Sequence, residues 1–170
     1  VVLPLGDRDP HGIGPPGRTL ETPEKPQRTT VALRSGRDRP GMARTIGILV
    51  FDDAEELDFV GPWEVLASTT QHLFPDDRVV LIAEEQRPIR CAKGLRVLPD
   101  FDFVGAPTLD VVLVPGGQGT RREVSNGNLI EWLRRAGASC EWVTSVCTGA
   151  LLLHEAGFAK GRRVTTHWGF

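Results

Sequence analysis

Four short segments of this 170-residue chain carry residue types that can do chemistry together. Val146-Cys147-Thr148-Gly149 joins an apolar, β-branched run (142–146) to a helix-like run (150–153). A cysteine at a sharp strand-to-helix turn projects its sulfur out of the bend. There it meets the N–H groups and positive dipole end of the next helix, a setting that favours the nucleophilic thiolate. Thr148 offers a hydroxyl that can donate to a substrate and a backbone N–H that can line an oxyanion site. Gly116-Gly117 directly follows the apolar run Val111-Val112-Leu113-Val114. Without side-chain cover, its N–H groups can stabilise negative charge developing near the sulfur. No Gly-Lys-Ser/Thr follows, so the turn is not a phosphate loop. Asp58 ends an acidic cluster (Asp52, Asp53, Glu55, Glu56) whose other members are expected on the solvated surface. It stands between Leu57 and Phe59, and a carboxyl among apolar residues tends to keep its proton and can share it with a neighbouring thiol. His167, in Thr165-Thr166-His167-Trp168, is a candidate base or a structural hydrogen-bonding group. His154 reads as structural, and His11 and His72 have no recognisable context.

These segments need elements to hold them. Ile46-Gly47-Ile48-Leu49-Val50-Phe51, Val79-Val80-Leu81-Ile82-Ala83, Val111–Val114 and the run before Cys147 are short and almost wholly apolar, as strands buried on both faces are. Pro62 at a first helical turn, followed by Trp63, Val65 and Leu66, predicts a helix. Residues 129–135 predict an amphipathic helix that Gly137 ends, and a helix from the cysteine turn runs to about Ala156. Residues 89–92 and 95–98, broken at Lys93-Gly94, predict a hairpin, and 162–166 a last extended run. Strands alternating with helices make a parallel sheet covered on both faces, and ligands of such sheets bind beyond the carboxyl ends of the strands. Asp58, Gly116-Gly117 and Cys147 all fall at those ends.

Residues 1–43 differ from the rest. Positions 1–41 hold more than half of the 13 prolines, with repeated Arg, Asp and Thr and no apolar periodicity. Such a stretch cannot bury enough apolar surface to offset chain entropy, so a disordered arm is expected, followed by one domain over 44–170. Its basic stretch (34–39) reads as solvated tail, and Met42-Ala43-Arg44 looks like a natural start to the domain. A net charge of −2 gives no reason to expect nucleic acid or an anionic membrane as partner. No apolar run approaches the roughly 20 residues that cross a bilayer, and no secretory layout opens the chain. Cys91, Cys140 and Cys147 are widely spaced with no C-x-x-C pair, which suggests neither a disulfide framework nor a zinc site and fits a reducing, cytoplasmic setting.

Together the segments resemble the ThiJ/PfpI family of the class I glutamine amidotransferase-like superfamily, most closely its isonitrile hydratase branch. The matching pieces are 57–66, Val114-Pro115-Gly116-Gly117, 143–150 and Thr165-Thr166-His167-Trp168, in family order. The resemblance implies a flavodoxin-like three-layer α/β sandwich with a mostly parallel sheet, usually a homodimer, with Cys147 at a nucleophile elbow. It implies Cys147, Asp58 and Thr148 as the functional residues, a small-molecule isonitrile as substrate, an N-substituted formamide as product, and no metal or organic cofactor. Peptidase-like relatives place His after the nucleophile where this chain has Thr148, and many deglycase-type relatives carry Glu at the place of Asp58. Relatives also continue past Thr-Thr-His-Trp with a strand and a helix, so a domain incomplete at its C-terminal end, with apolar surface uncovered, is expected. The alternatives are a sensing domain of an AraC-type transcription regulator without its DNA-binding part, and a redox-responsive protein whose Cys147 oxidises beside Asp58.

Overall fold

The computed structural model describes residues 2–4, as backbone, and 43–169. The strands are β1 (Val2–Pro4), β2 (Thr45–Leu49), β3 (Arg78–Ala83), β4 (Ile89–Arg90), β5 (Arg96–Val97), β6 (Phe101–Asp102), β7 (Val111–Val114) and β8 (Trp142–Ser145). The helices are α1 (Glu56–His72), α2 (Thr120–Glu123), α3 (Gly127–Ser139) and α4 (Gly149–Glu155). The main sheet has the order β1-β8-β7-β2-β3-β6. From β8 to β6 every pairing is parallel, in register Ile48↔Leu81, Ile48↔Leu113 and Leu113↔Thr144 at the centre. This is the flavodoxin-like α/β arrangement that the alternation of apolar runs predicts.

From β2 the chain moves to β3 through α1, and from β7 it moves to β8 in the opposite direction through α3. Right-handed crossovers running opposite ways put α1 and α3 on opposite faces of the sheet. The neighbours β2 and β7 are where the strand order reverses, and loops leaving such a pair of strands open a crevice. All five residues of β2 are buried, as a strand covered on both faces must be. Ile48, Ile82, Val112 and Val143 from the sheet meet Leu129, Leu133, Leu152 and Leu153 from α3 and α4 in one apolar cluster.

Several boundaries differ from those expected. Helix α1 begins at Glu56, not near Pro62, so Asp58 lies in its first turn. The proline is accommodated inside the helix at the cost of the hydrogen bond it would have donated to the Asp58 carbonyl. Gly137 does not end α3 but sits buried within it, because a Cβ there would come 2.5 Å from the Phe158 ring. Asn126 starts that helix, its side chain accepting the N–H groups of Asn128 and Leu129, a cap worth about 1 kcal/mol. The hairpin forms as β4 and β5, paired antiparallel. Strand β6 and the short α2 have too few residues for periodicity to reveal. Residues 162–166 form no strand.

The disorder expected for 1–43 falls mostly outside the described residues. Val2–Pro4 depart from it, pairing antiparallel with β8 and adding a strand to that edge. Among the described residues, exposed large apolar side chains stand on α1 and also at Leu95, Leu98, Val104 and Trp168. Phe59 is the one fully buried residue of that helix, whereas Leu57, Trp63 and Val65 are exposed.

Candidate active site

Strand β8 ends at Ser145, and the Val146 N–H still extends the ladder to the Val114 carbonyl at 3.0 Å. The chain then turns through Cys147, whose φ of +50° lies in the left-handed region, and the Gly149 N–H closes the turn on the Val146 carbonyl at 2.9 Å. A non-glycine residue there costs about 1–2 kcal/mol. That strain is the geometric mark of a nucleophile elbow: it tips the side chain out of the bend. Cys147 is half-buried, whereas Cys91 and Cys140 are buried. Burial pushes the Cys91 thiol up to about 11 and the Cys140 thiol up to about 12, so both stay protonated. Of the three cysteines, only the one on the elbow is partly open to solvent.

The first turn of α1 brings Asp58 against this sulfur. The Cys147 side chain is near enough to the Asp58 carboxyl to act on its ionisation, and Asp58 Oδ2 accepts the Gly116 N–H at 2.9 Å. Burial pushes the Asp58 carboxyl above its ordinary value of 3.8, and Glu55 adds to this. The Gly116 N–H bond, the nearby Cys147 side chain and the field of His167 pull the other way without cancelling it. A half-buried acid beside a thiol can pass it a proton and take one back.

Gly116 and Gly117 play a different part from the one expected. Their N–H groups are committed inside the protein, Gly116 to Asp58 and Gly117 to Thr148 Oγ1 at 3.1 Å. The Gly116 carbonyl accepts the Glu55 N–H at 2.9 Å, which ties this loop to the start of α1. The loop thus orients the carboxyl rather than facing a substrate. The Thr148 N–H stands at the head of α4, beside the elbow sulfur, where a backbone donor can face developing charge. A Cβ on Gly116 would lie 2.6 Å from the Thr148 nitrogen and 2.8 Å from the Cys147 Cβ. Gly116→Ala is therefore expected to lower stability by about 1–3 kcal/mol in urea unfolding. An unchanged midpoint would contradict this packing.

Thr148 is buried at 1% exposure, and its hydroxyl lies within reach of Gly117 and of Thr120 Oγ1, 3.1 Å away. It is held by the protein instead of presented to solvent. His167 is exposed, its Nδ1 accepts the Gly169 N–H at 3.1 Å, and it acts electrostatically on Asp58. The neighbouring Thr166 hydroxyl donates to the Cys147 carbonyl at 3.1 Å, so the segment after α4 returns to the elbow.

Two contributors escaped the sequence. Thr120 stands three residues after Gly117, the spacing at which a threonine hydroxyl can reach back to a turn carbonyl, and it does so at 2.7 Å. The acidic cluster is paired rather than freely solvated. Arg87 beside Asp52 holds that carboxyl below the usual range, Arg122 meets Asp53, and Lys93 meets Glu55. Glu56 Oε1 accepts the Lys93 N–H of the hairpin turn at 2.6 Å. A cleft of about 440 Å³ at the ends of β2 and β3 is lined by Asp52, Glu84, Arg87 and Arg122 and does not include Cys147. Its charges are paired with one another, Arg87 with Asp52 and Arg122 with Glu123. Among the described residues no group of His, Cys, Asp or Glu is arranged to hold a metal ion, and no helix is long and apolar enough to cross a membrane.

Comparison with known proteins places this geometry. The chain is similar to the isonitrile hydratase of Pseudomonas putida, with 40% identity over 129 residues, covering 76% of this chain and 54% of that enzyme. It is 27% identical over 74% of its length to the HTH-type transcriptional regulator GbdR of Pseudomonas aeruginosa, of which it covers 34%. Among solved structures, a ThiJ/PfpI family protein from Pseudomonas syringae superposes with a TM-score of 0.69 at 30% identity, over 75% of this chain and 51% of that one. The chain spans about half the length of the isonitrile hydratase and of that solved relative. The DJ-1/PfpI family model matches residues 44–170, the segment that carries the elbow, the glycine loop and Asp58, and the chain belongs to that family.

Proposed function

We propose that the protein is a cysteine-dependent hydro-lyase of the isonitrile hydratase kind, adding water to R–N≡C to give R–NH–CHO. The observation that carries this reading is the Asp58 carboxyl held beside the elbow cysteine, fixed by the Gly116 N–H at 2.9 Å and pushed by burial above its ordinary value of 3.8. The Cys147 sulfur, as thiolate, forms a bond to the terminal carbon, and the electron pair left on that carbon takes the Asp58 proton, giving the thioimidate R–N=CH–S–Cys147 and a carboxylate. Water then adds to the same carbon, one of its protons passing through Asp58 to nitrogen. Collapse of the adduct breaks the C–S bond, and its hydroxyl proton returns to Asp58. Sulfur and carboxyl end as they began, and no electrons are gained or lost. Thr148 contributes its backbone N–H at the elbow and a hydroxyl that secures the glycine loop. His167 biases the charge on Asp58. The test is direct: cyclohexyl isocyanide incubated with the chain should yield N-cyclohexylformamide, and no product above the buffer rate would contradict the reading.

The exposed apolar residues of α1 (Leu57, Trp63, Val65) and of the hairpin (Leu95, Leu98) support a homodimer. Sedimentation should give twice the monomer mass, and Trp63→Glu should return it to one. Three free thiols support a reducing, cytoplasmic setting. The second reading, a ligand-sensing domain of a transcription regulator, is supported by the likeness to a regulator of that type. It predicts saturable isonitrile binding at Cys147 without turnover.

A further inference from the structure

Thr120 opens α2 and is fully buried. Its hydroxyl donates to the Gly117 carbonyl at 2.7 Å and lies 3.1 Å from Thr148 Oγ1, which itself accepts the Gly117 N–H at 3.1 Å. The Thr148 hydroxyl lies 3.4 Å from the same Gly117 carbonyl, so the two hydroxyls, in contact with each other, converge on one residue of the loop. Three contacts then close a circuit from the Gly117 N–H through Thr148 and Thr120 back to the Gly117 carbonyl. Both polar backbone atoms of Gly117 are gripped, one peptide from the Gly116 N–H that holds Asp58 Oδ2.

We propose that Thr120 is a positioning residue: through this circuit it aims the Gly116 N–H at Asp58 and keeps the Thr148 hydroxyl turned away from the reacting sulfur. The inference rests on the reading of Asp58 as the group that handles the proton. Asp58 faces Glu55 from the turn before α1, Cys147 from the elbow, His167 from the last segment and the Gly116 N–H from the loop after β7. Losing the Thr120 hydroxyl loosens the last of these and leaves the other three. An N–H bond to a carboxylate favours its charged form, so loosening it raises the pH at which Asp58 ionises.

The test follows the Asp58 carboxyl by carbon-13 NMR against pH in the full chain, the resonance assigned with Asp58→Asn. Thr120→Val should move the midpoint up by about half a pH unit or more, and Thr120→Ser, which keeps the hydroxyl, should restore it. If the branched valine prevents folding, Thr120→Ala carries the same expectation. A folded Thr120→Val or Thr120→Ala with the wild-type midpoint would overturn the proposal. So would a Thr120→Ser variant displaced as far as the valine. A purely structural role would lower the melting temperature without moving the midpoint. The readout needs no substrate: the expected shift, in protein that makes no formamide, upholds the role of Thr120 while removing the hydratase reading.

Discussion

Cys147→Ala should abolish formamide production, lowering kcat by about 10⁴-fold or more, as expected when the atom that bonds to substrate is deleted. The fold should survive. Alanine at this position keeps the same Cβ in the same left-handed conformation, so the backbone strain is neither relieved nor increased. What disappears is one half-buried sulfur and its contact with the Asp58 side chain, a loss of about 1 kcal/mol. Thermal unfolding and isonitrile turnover measured on the same sample separate the two effects. Iodoacetamide gives an independent check. Under native conditions it should label Cys147 and spare Cys91 and Cys140, which burial keeps closed and protonated. Turnover comparable to wild type in the alanine variant would remove the thiol from the reaction.

Asp58→Asn should lower turnover by about 10²–10⁴-fold, the usual worth of a general acid and base, without lowering stability at neutral pH. The sign follows from the direction of its shift. The folded-state pKa of Asp58 is raised above 3.8, so the folded protein holds this proton more tightly than the unfolded chain. The stabilisation is full below 3.8 and is lost as pH rises through the folded-state value. Wherever the carboxyl ionises, its half-buried charge is a burden on the fold, and a neutral amide that still accepts the Gly116 N–H removes it. Melting temperatures should therefore be equal or higher in the variant. The pH–rate profile of the wild type should be bell-shaped, because the carboxyl–thiol pair works while it shares one proton. Its acidic limb should lie above the range of an ordinary carboxylate and vanish in Asp58→Asn. A large drop in melting temperature would mean that Asp58 is a structural group first.

How much of this was legible beforehand follows the range of each interaction. The parallel sheet was readable because β2, β3 and β7 are near-continuous apolar runs, and burial on both faces leaves that trace in sequence. Cys147, Asp58 and Gly116 could be placed together because chain topology gathers the carboxyl ends of strands. What each does there could not be read, since it depends on hydrogen bonds across long sequence separations. The Gly116 N–H reaches 58 residues back to Asp58, and the Gly117 N–H reaches 31 residues on to Thr148. Those bonds turn the glycine loop from an oxyanion hole into a holder of the carboxyl and withdraw the Thr148 hydroxyl from solvent. The start of α1 was misplaced because Pro62 reads as a first-turn residue, and the first turn is formed instead by the acidic residues ahead of it. Glu56 is fixed there by the hairpin backbone and Glu55 by Lys93, pairings between segments almost 40 residues apart.

The central claim is that sulfur and isonitrile carbon become bonded before water enters. Rapid acid quench of the chain during turnover of cyclohexyl isocyanide, followed by intact and peptide mass spectrometry, tests it. The account predicts an adduct heavier by one isonitrile, mapped to Cys147 and absent from Cys147→Ala. Formamide accumulating with no such adduct at any quench time, or an adduct mapped to another residue, would contradict it.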